Sequence, residues 1–140
     1  MSAANGILVI AEAEGGVPTD LSHEMLGLAR RLAETTGGTV ETVLLGEDLG
    51  DSAETLIAFG ADCVHIGDGP GYAAYLAEAW LPNLMKIAAA APPAVILVGH
   101  TSMGGDLAPR LAFRLGTTGA TACVEAEINE KLYTSPEDFE

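Results

Sequence analysis

The sequence predicts an α/β domain with a doubly wound parallel sheet of five strands, and three observations support this fold class. Short, continuous apolar runs such as Ala94–Val98 are typical of strands that are covered on both faces. Longer segments in which leucines recur every three or four residues are typical of helices that pack on a sheet. Because the two kinds of segment alternate and β-α-β crossovers are right-handed, the economical topology is a parallel sheet with helices on both sides.

The elements follow one another in a regular order along the chain. The apolar runs predict strands at residues 7–11, 40–45, 63–66, 94–98 and about 119–127. A short helix is expected at Ser52–Phe59. A long helix is expected at Tyr72–Ala90, and Pro82 should bend or split it because proline disrupts a helix interior.

The first and last helices carry recognisable signals at their N-termini. Thr19 or Asp20 is suited to cap the first helix, because its side-chain oxygen can accept a bond from a free backbone N–H. Gly37-Gly38 is expected to end that helix. Proline fits the first turn of a helix, so Pro109 places the start of the fourth helix just before it. We therefore expect Asp106 to be the N-cap of that helix and Gly116 to end it.

Length and charge narrow the classes of function. A chain of 140 residues suits one domain with a self-sufficient core. Its formal net charge of -14 repels nucleic acid and anionic lipid, so neither is an expected partner. No segment approaches the roughly 20 apolar residues that span a bilayer, and the N-terminus lacks the basic region of a signal peptide. These observations predict a cytoplasmic location.

The region around the fourth helix carries a motif of six residues, which are Thr101, Gly104, Asp106, Leu107, Pro109 and Arg110. They match the pattern Thr-x-x-Gly-Arg-Asp-Leu-x-Pro-Arg, which is typical of the α subunit of electron-transfer flavoproteins. The chain therefore resembles that family. Gly105 stands where the family has its first arginine. The resemblance extends from about Ile7 to Glu127 and covers only the family's N-terminal domain.

The resemblance implies several further expectations. It implies a Rossmann-like, three-layer α/β/α fold of the adenine-nucleotide-hydrolase kind, with strand order 3-2-1-4-5. It also implies an α/β domain at residues 1–128, followed here by an acidic tail at residues 129–140. In the family, FAD sits mainly in the C-terminal domain of the α subunit, which this sequence lacks. We therefore expect this chain alone to bind no cofactor, with FAD present in an assembled heterodimer with a β-type subunit.

The crevice of such a sheet lies where the strand order reverses, beside the first and fourth strands. Weak candidates for contact with a cofactor there are Gly99, His100, Thr101, Ser102 and Gly104. Their small side chains would leave backbone N–H groups accessible at a helix N-terminus, which suits an anion. The opposite loop carries Glu12 and Glu14, and these carboxylates would oppose a phosphate. A loop closed by its own cap and a bound nucleotide both stay open as alternatives.

The sequence predicts no catalytic group and no metal site. No nucleophile motif accompanies His100. Cys63 and Cys123 lie in different predicted strands and are expected to be small buried hydrophobic residues. His23 and His65 are expected on a helix surface and in a strand. An enzymatic activity of this chain itself is therefore not expected.

Arg110 and Arg114 are candidates for contact with a partner protein. They lie four residues apart on one side of the fourth helix of a very acidic chain, which favours a docking point for another subunit. Asp106 precedes Arg110 by four residues, so a local ion pair is an equal alternative. The aromatic residues Tyr72 and Tyr75 are expected to pack in or near the core.

Three functions remain open. The leading hypothesis is a scaffold or assembly module of an electron-transfer flavoprotein, which packs against a β-type subunit and supports a flavin-bearing domain. The second is a free-standing adenine-nucleotide-binding domain similar to universal stress proteins, whose glycine motif Gly104 and Gly116 match only loosely. The third is a non-redox subunit recruited into another enzyme complex.

Overall fold

A parallel five-stranded sheet forms the centre of the domain. The computed structural model describes residues 6–99 and 101–115 in full and residues 122–126 by their backbone. The strands are β1 (Ile7–Ile10), β2 (Val40–Gly46), β3 (Cys63–Asp68), β4 (Val95–Gly99) and β5 (Ala122–Ala126). They lie in the order β3-β2-β1-β4-β5, and every neighbouring pair is parallel. The predicted topology is therefore confirmed.

Within the described residues, four α-helices accompany the sheet. They are α1 (Asp20–Thr36), α2 (Ser52–Ala58), α3 (Ala77–Ala90) and α4 (Ser102–Leu115). Between β1 and α1, Ala13–Glu14 pairs with Val17–Pro18 in a small antiparallel hairpin. One turn of 3-10 helix, Pro70–Tyr72, follows β3.

The sheet separates two buried layers, because successive side chains of a strand point to opposite faces. In β1, Ile7 and Val9 join the layer beneath α1 and α2, whereas Leu8 and Ile10 join the layer beneath α3 and α4. The first layer is completed by Met25, Leu26, Ala29, Leu44, Leu56 and Leu97. The second layer is completed by Val43, Trp80, Leu84, Ile96, Leu107 and Leu111. The helices on both sides explain why the strands read as continuous apolar runs.

The ends of α1 agree with the sequence signals. Thr19 is the N-cap, and its hydroxyl oxygen accepts a hydrogen bond from the Ser22 N–H at 3.2 Å. Gly37 ends the helix with a φ of 77°, a left-handed conformation that glycine adopts without steric cost.

The predicted start of α4 at Asp106 is wrong. The helix begins at Ser102, so Asp106 lies in its second turn and Pro109 inside the helix. Thr101 does the capping, because its Oγ1 accepts a bond from the Gly104 N–H at 3.0 Å. Pro109 is tolerated on an exposed side of the helix, where Gly105, the residue whose carbonyl loses its partner, is also exposed.

The long helix predicted at residues 72–90 is shorter in the structure. Tyr72 ends the 3-10 turn, Leu76 is extended with a φ of -139°, and α3 begins only at Ala77. Pro82 lies inside α3 and does not split it. Tyr72 and Tyr75 instead pack edge-on against Trp80, at centroid distances of 5.4 and 5.5 Å. This packing outweighs the local helical preference of the segment.

Candidate functional site

A cleft with a volume of about 550 Å³ lies at the carboxyl ends of β1 and β2. The strand order reverses beside it, since β1 pairs with β2 on one side and with β4 on the other. Ligands of open α/β sheets bind at such switch points. The walls come from the small hairpin, the β2–α2 loop, the aromatic residues near the start of α3, and Met103 of α4.

A chain of hydrogen bonds joins the start of α4 to the loop after β1. The Gly104 N–H donates to Thr101 Oγ1, and the Thr101 hydroxyl donates to Glu12 Oε2 at 2.6 Å. The Glu12 carboxylate thus lies next to the N-terminus of α4, where the helix dipole favours a negative charge. The helix N-terminus that would attract a phosphate is occupied by groups of the chain itself.

The backbone of Glu12 is fixed from the side of α1. Its N–H donates to Oγ of the buried Ser22 at 2.8 Å, and its carbonyl oxygen accepts bonds from the Ser22 hydroxyl and the Thr19 N–H. Because Thr19 is the N-cap of α1 and Ser22 lies in its first turn, these contacts tie Glu12 to the start of α1 and hold it over Thr101.

The β2–α2 loop forms the opposite wall. Asp68, at the end of β3, accepts hydrogen bonds from the Asp48 N–H at 2.9 Å and the Leu49 N–H at 3.1 Å. Gly16 of the hairpin lies against the Asp48 carbonyl with a φ of 81°, and a Cβ there would collide with that oxygen. Glycine at this position therefore allows the hairpin to close on the loop.

Aromatic side chains form a third wall with one polar connection. The Tyr75 hydroxyl donates to Asp106 Oδ2 at 2.7 Å, and Arg110 Nε donates to the same oxygen at 3.1 Å. Burial, and then the bond to Asp106, raises the pKa of Tyr75 to about 12. The Tyr75 hydroxyl and then Arg110 hold the pKa of Asp106 below its usual range. Asp106 therefore connects α4 to the Tyr75 segment instead of capping a helix.

The residues proposed for cofactor contact lie in different surroundings. Gly99 is the buried end of β4, and Gly104 is buried against the Gly99 carbonyl, where a Cβ would collide. Thr101 is bonded to Glu12, and Ser102 is the exposed first residue of α4. His100 lies outside the described residues. Cofactor contact by these residues stays a prediction.

The described cleft does not suit a pyrophosphate. Glu12, Glu47 and Asp48 line it, while lysine and arginine are absent from its described lining. Three carboxylates oppose a phosphate dianion, and the Gly104 N–H at the start of α4 already donates to Thr101 Oγ1. FAD carries such a pyrophosphate, so the residues that line the cleft do not fit this cofactor.

The outer surface of α4 presents a different chemistry. Arg110, Phe113 and Arg114 are all exposed, and Phe113 retains 79% of its accessible surface. Arg110 forms the expected ion pair with Asp106 and still lies at the surface. A local ion pair and a contact with a partner protein therefore both stay possible for this residue. Phe113 was not among the residues that the sequence analysis singled out.

The expected burial of Cys63 is wrong. Cys63 is exposed because β3 is an edge strand of the sheet. The partial burial of its sulfur and the charge of Glu41 raise the pKa of the thiol. The ligand atoms of Glu41, Cys63 and His65 lie within 4.8 Å of one another. The sequence reading missed this cluster because strand register is not visible in the local pattern; the only signal was the Cys-x-His spacing. The side chain of Cys123 lies outside the described residues.

Comparison with known proteins decides the family. Residues 7–137 match the model of the electron transfer flavoprotein domain. The chain belongs to this family. None of the helices within residues 6–99 and 101–115 is both long and apolar enough to cross a bilayer.

The relatives of this chain include two electron transfer flavoprotein α subunits. The chain is 40% identical over 134 residues to the electron transfer flavoprotein subunit alpha of Thermoanaerobacterium thermosaccharolyticum. The aligned region covers 93% of this chain and 40% of that protein. It is 38% identical to the corresponding subunit of Megasphaera elsdenii, with 92% and 38% covered. An acryloyl-CoA reductase electron transfer subunit beta of Anaerotignum propionicum is 32% identical, with 91% and 35% covered. The chain thus spans about two fifths of the length of these relatives.

A solved structure shares the fold. A universal stress protein in complex with cAMP aligns with a TM-score of 0.51 and 15% sequence identity, covering 90% of this chain and 98% of that one. The likeness supports the Rossmann-like α/β class, which is therefore confirmed for the electron transfer flavoprotein domain described here.

Proposed function

We propose that this domain is a scaffold and assembly module of an electron transfer flavoprotein. It packs against a β-type subunit and supports a flavin-bearing domain, so that electrons from flavin dehydrogenases pass through FAD held outside this domain. Membership of the family carries the redox part of the proposal. The contacts at the start of α4 support the scaffold part, because the Thr101 and Glu12 side chains lie at the helix N-terminus that a bound phosphate would need.

The exposed face of α4 is the proposed contact with the β-type subunit. Arg110 and Arg114 flank Phe113, and this combination of arginine and an exposed aromatic ring is common among residues that dominate binding energy at interfaces. The two cations also stand out against a net charge of -14, so they favour an acidic partner surface. Function then comes from association.

The decisive experiment separates flavin binding by this chain from flavin binding by its complex. The purified chain is soaked with excess FAD and desalted, and its absorbance spectrum should show no flavin band. The same chain co-purified with a β-type subunit and a flavin-bearing α domain should show flavin at about one per complex and should pass electrons to a dye. A stoichiometric flavin band in the isolated chain would contradict the scaffold proposal.

An adenine-nucleotide-binding function is the second candidate. The size of the cleft, its aromatic wall and its position at the strand-order reversal favour a small aromatic ligand. The carboxylates of Glu12, Glu47 and Asp48 oppose the phosphates of such a ligand. Calorimetric titration with ATP and AMP distinguishes the two proposals, since the scaffold proposal expects no heat of binding from either.

The third candidate is a non-redox role in another enzyme complex. Purification of the native complex tests it directly. A complex that contains no flavin and no electron-transfer partner would favour this role over the scaffold proposal.

A further inference from the structure

A second cluster of functional side chains lies at the edge of the sheet, away from the cleft. Glu41 of β2 and Cys63 and His65 of β3 bring a carboxylate, a thiol and an imidazole together. We propose that these three residues form a binding site for one Zn²⁺ ion. The site is independent of the proposed scaffold function.

Strand register creates the cluster. In the parallel pair, Glu41 lies opposite Cys63, and Val43 lies opposite His65. Because side chains alternate along a strand, all three donors lie on the same face of the sheet as Val43. This is the face that packs beneath α3 and α4. Two neighbouring strands of a sheet hold these positions, so the donors lie on rigid elements instead of a loop.

The distances suit a single small cation. His65 Nε2 lies 2.7 Å from Glu41 Oε1 and 3.8 Å from Cys63 Sγ. Zinc bonds of about 2.0–2.3 Å in tetrahedral geometry place ligand atoms about 3.3–3.7 Å apart. The imidazole and carboxylate must therefore separate by about half an ångström, and the sulfur must approach the imidazole by a few tenths. The third pair of ligand atoms, those of Glu41 and Cys63, lies within 4.8 Å, so the Cys63 side chain must also turn toward the carboxylate.

The donor set selects the class of metal. Thiolate sulfur and imidazole nitrogen favour Zn²⁺ and other borderline transition ions, whereas Mg²⁺ and Ca²⁺ prefer oxygen ligands alone. The neighbouring Asp62 is not a fourth ligand, because its carboxylate accepts bonds from Arg30 Nη1 at 2.9 Å and the Val40 N–H at 2.8 Å. Cys63 is exposed, so water can take the fourth position.

The charge of the site is matched to the ion. Binding displaces the thiol proton of Cys63 to solvent, and the thiolate together with the Glu41 carboxylate then balances the two positive charges of Zn²⁺. The alternative is a simple hydrogen-bonded pair of His65 and Glu41, with an uninvolved thiol beside it. The two possibilities differ in whether substitution of each of the three side chains weakens the binding of one metal ion.

The experiment uses the purified chain after treatment with a chelator. Calorimetric titration with ZnCl₂ should give one site per chain, and CoCl₂ should produce a thiolate-to-metal charge-transfer band. Cys63→Ser should abolish that band, and Cys63→Ser, His65→Gln and Glu41→Gln should each weaken Zn²⁺ binding by at least about tenfold. The cobalt spectrum of the unchanged chain requires no substitution and so does not depend on how well a variant folds.

Two controls separate the site from general attraction of cations to an acidic chain. Cys123→Ser removes the other cysteine and Glu24→Gln removes an exposed carboxylate of α1, and both variants should keep the wild-type stoichiometry and affinity. Circular dichroism checks that each variant is folded. The proposal is overturned if no stoichiometric site appears, or if Cys63→Ser and Glu24→Gln change Zn²⁺ binding equally.

Discussion

The two ends of α4 belong to one helix and have opposite surroundings. At the N-terminal end, Gly104 is buried against the β4 carbonyl of Gly99, and Thr101 is bonded to Glu12. At the C-terminal end, Phe113 and Arg114 face solvent. The side chains of Thr101 and Glu12 lie at the end that would bind a phosphate, whereas the other end is exposed and can bind a protein. This difference favours a function through association over one through a bound nucleotide.

The largest expected effect concerns the contact of Gly104 with the sheet. A Cβ at Gly104 would collide with the Gly99 carbonyl oxygen and lie 3.1 Å from Val98 Cγ1, so Gly104→Ala forces α4 away from β4. We expect a loss of about 2–3 kcal/mol in the free energy of unfolding, measured by urea denaturation.

Gly105 provides the matched control for this prediction. It is exposed, and a Cβ built there meets no atom within 4 Å. Gly105→Ala should raise the free energy of unfolding by up to about 1 kcal/mol, because alanine is the better helix former. Equal losses in the two variants would contradict the close approach of α4 to the sheet.

The next effect concerns the exposed end of α4. Arg110→Ser together with Arg114→Ser, and separately Phe113→Ser, should each weaken binding of a β-type subunit by about 2 kcal/mol, or about thirtyfold in Kd. Calorimetry or gel filtration of the mixed subunits measures it. Arg31→Ser on α1 removes an equally exposed arginine and should leave the complex intact.

The arginine and phenylalanine variants of α4 must keep the fold for this comparison to be meaningful. Their circular dichroism spectra and thermal midpoints should be close to those of the wild type, since the side chains of Arg110, Phe113 and Arg114 are exposed. A complex that survives both sets of substitutions at high salt would mean that this end of α4 is only a solvated surface.

A smaller effect concerns the cap of α4. Thr101→Val keeps the shape of the side chain but removes the acceptor for the Gly104 N–H and the donor to Glu12. We expect a loss of about 1 kcal/mol in the free energy of unfolding, as for other N-caps. Ser102→Ala removes the adjacent, exposed hydroxyl and should change stability by no more than a few tenths of a kcal/mol.

A further effect, which is visible only at alkaline pH, concerns the middle of α4, where the Tyr75 hydroxyl donates to Asp106. The folded-state pKa of Tyr75 is raised to about 12 from an ordinary value of 10.0, so the folded state holds the proton more tightly. This contribution to stability is fully present below pH 10 and is lost as the pH rises from about 10 to about 12. The thermal midpoint should therefore fall over that range.

Two tyrosine variants distinguish this contribution from general alkaline unfolding. Tyr75→Phe should show a shallower fall of the thermal midpoint than the wild type between pH 9 and pH 11. Tyr72→Phe should keep the wild-type slope, because the Tyr72 hydroxyl accepts from Asn83 and does not contact Asp106. Identical slopes in all three proteins would contradict the assigned role of Tyr75.

The sequence by itself determined the fold class and several element ends. Apolar runs gave the strands, and Thr19 and Gly37 were recognisable as the ends of α1, because capping and left-handed turns depend on a few adjacent residues. The family resemblance supplied the strand order. The acidic residue Glu12 was also correctly placed beside the start of α4, since the switch point follows from that order.

Only the tertiary structure decided how residues distant in sequence meet. The position of Pro109 predicted that α4 starts at Asp106. The helix instead begins at Ser102, where Gly104 packs against β4 and Thr101 donates a hydrogen bond to Glu12. The meeting of Glu41 with Cys63 depends on a register between strands 22 residues apart. Local patterns carry no information about such a register, because it is set by the packing of both sheet faces.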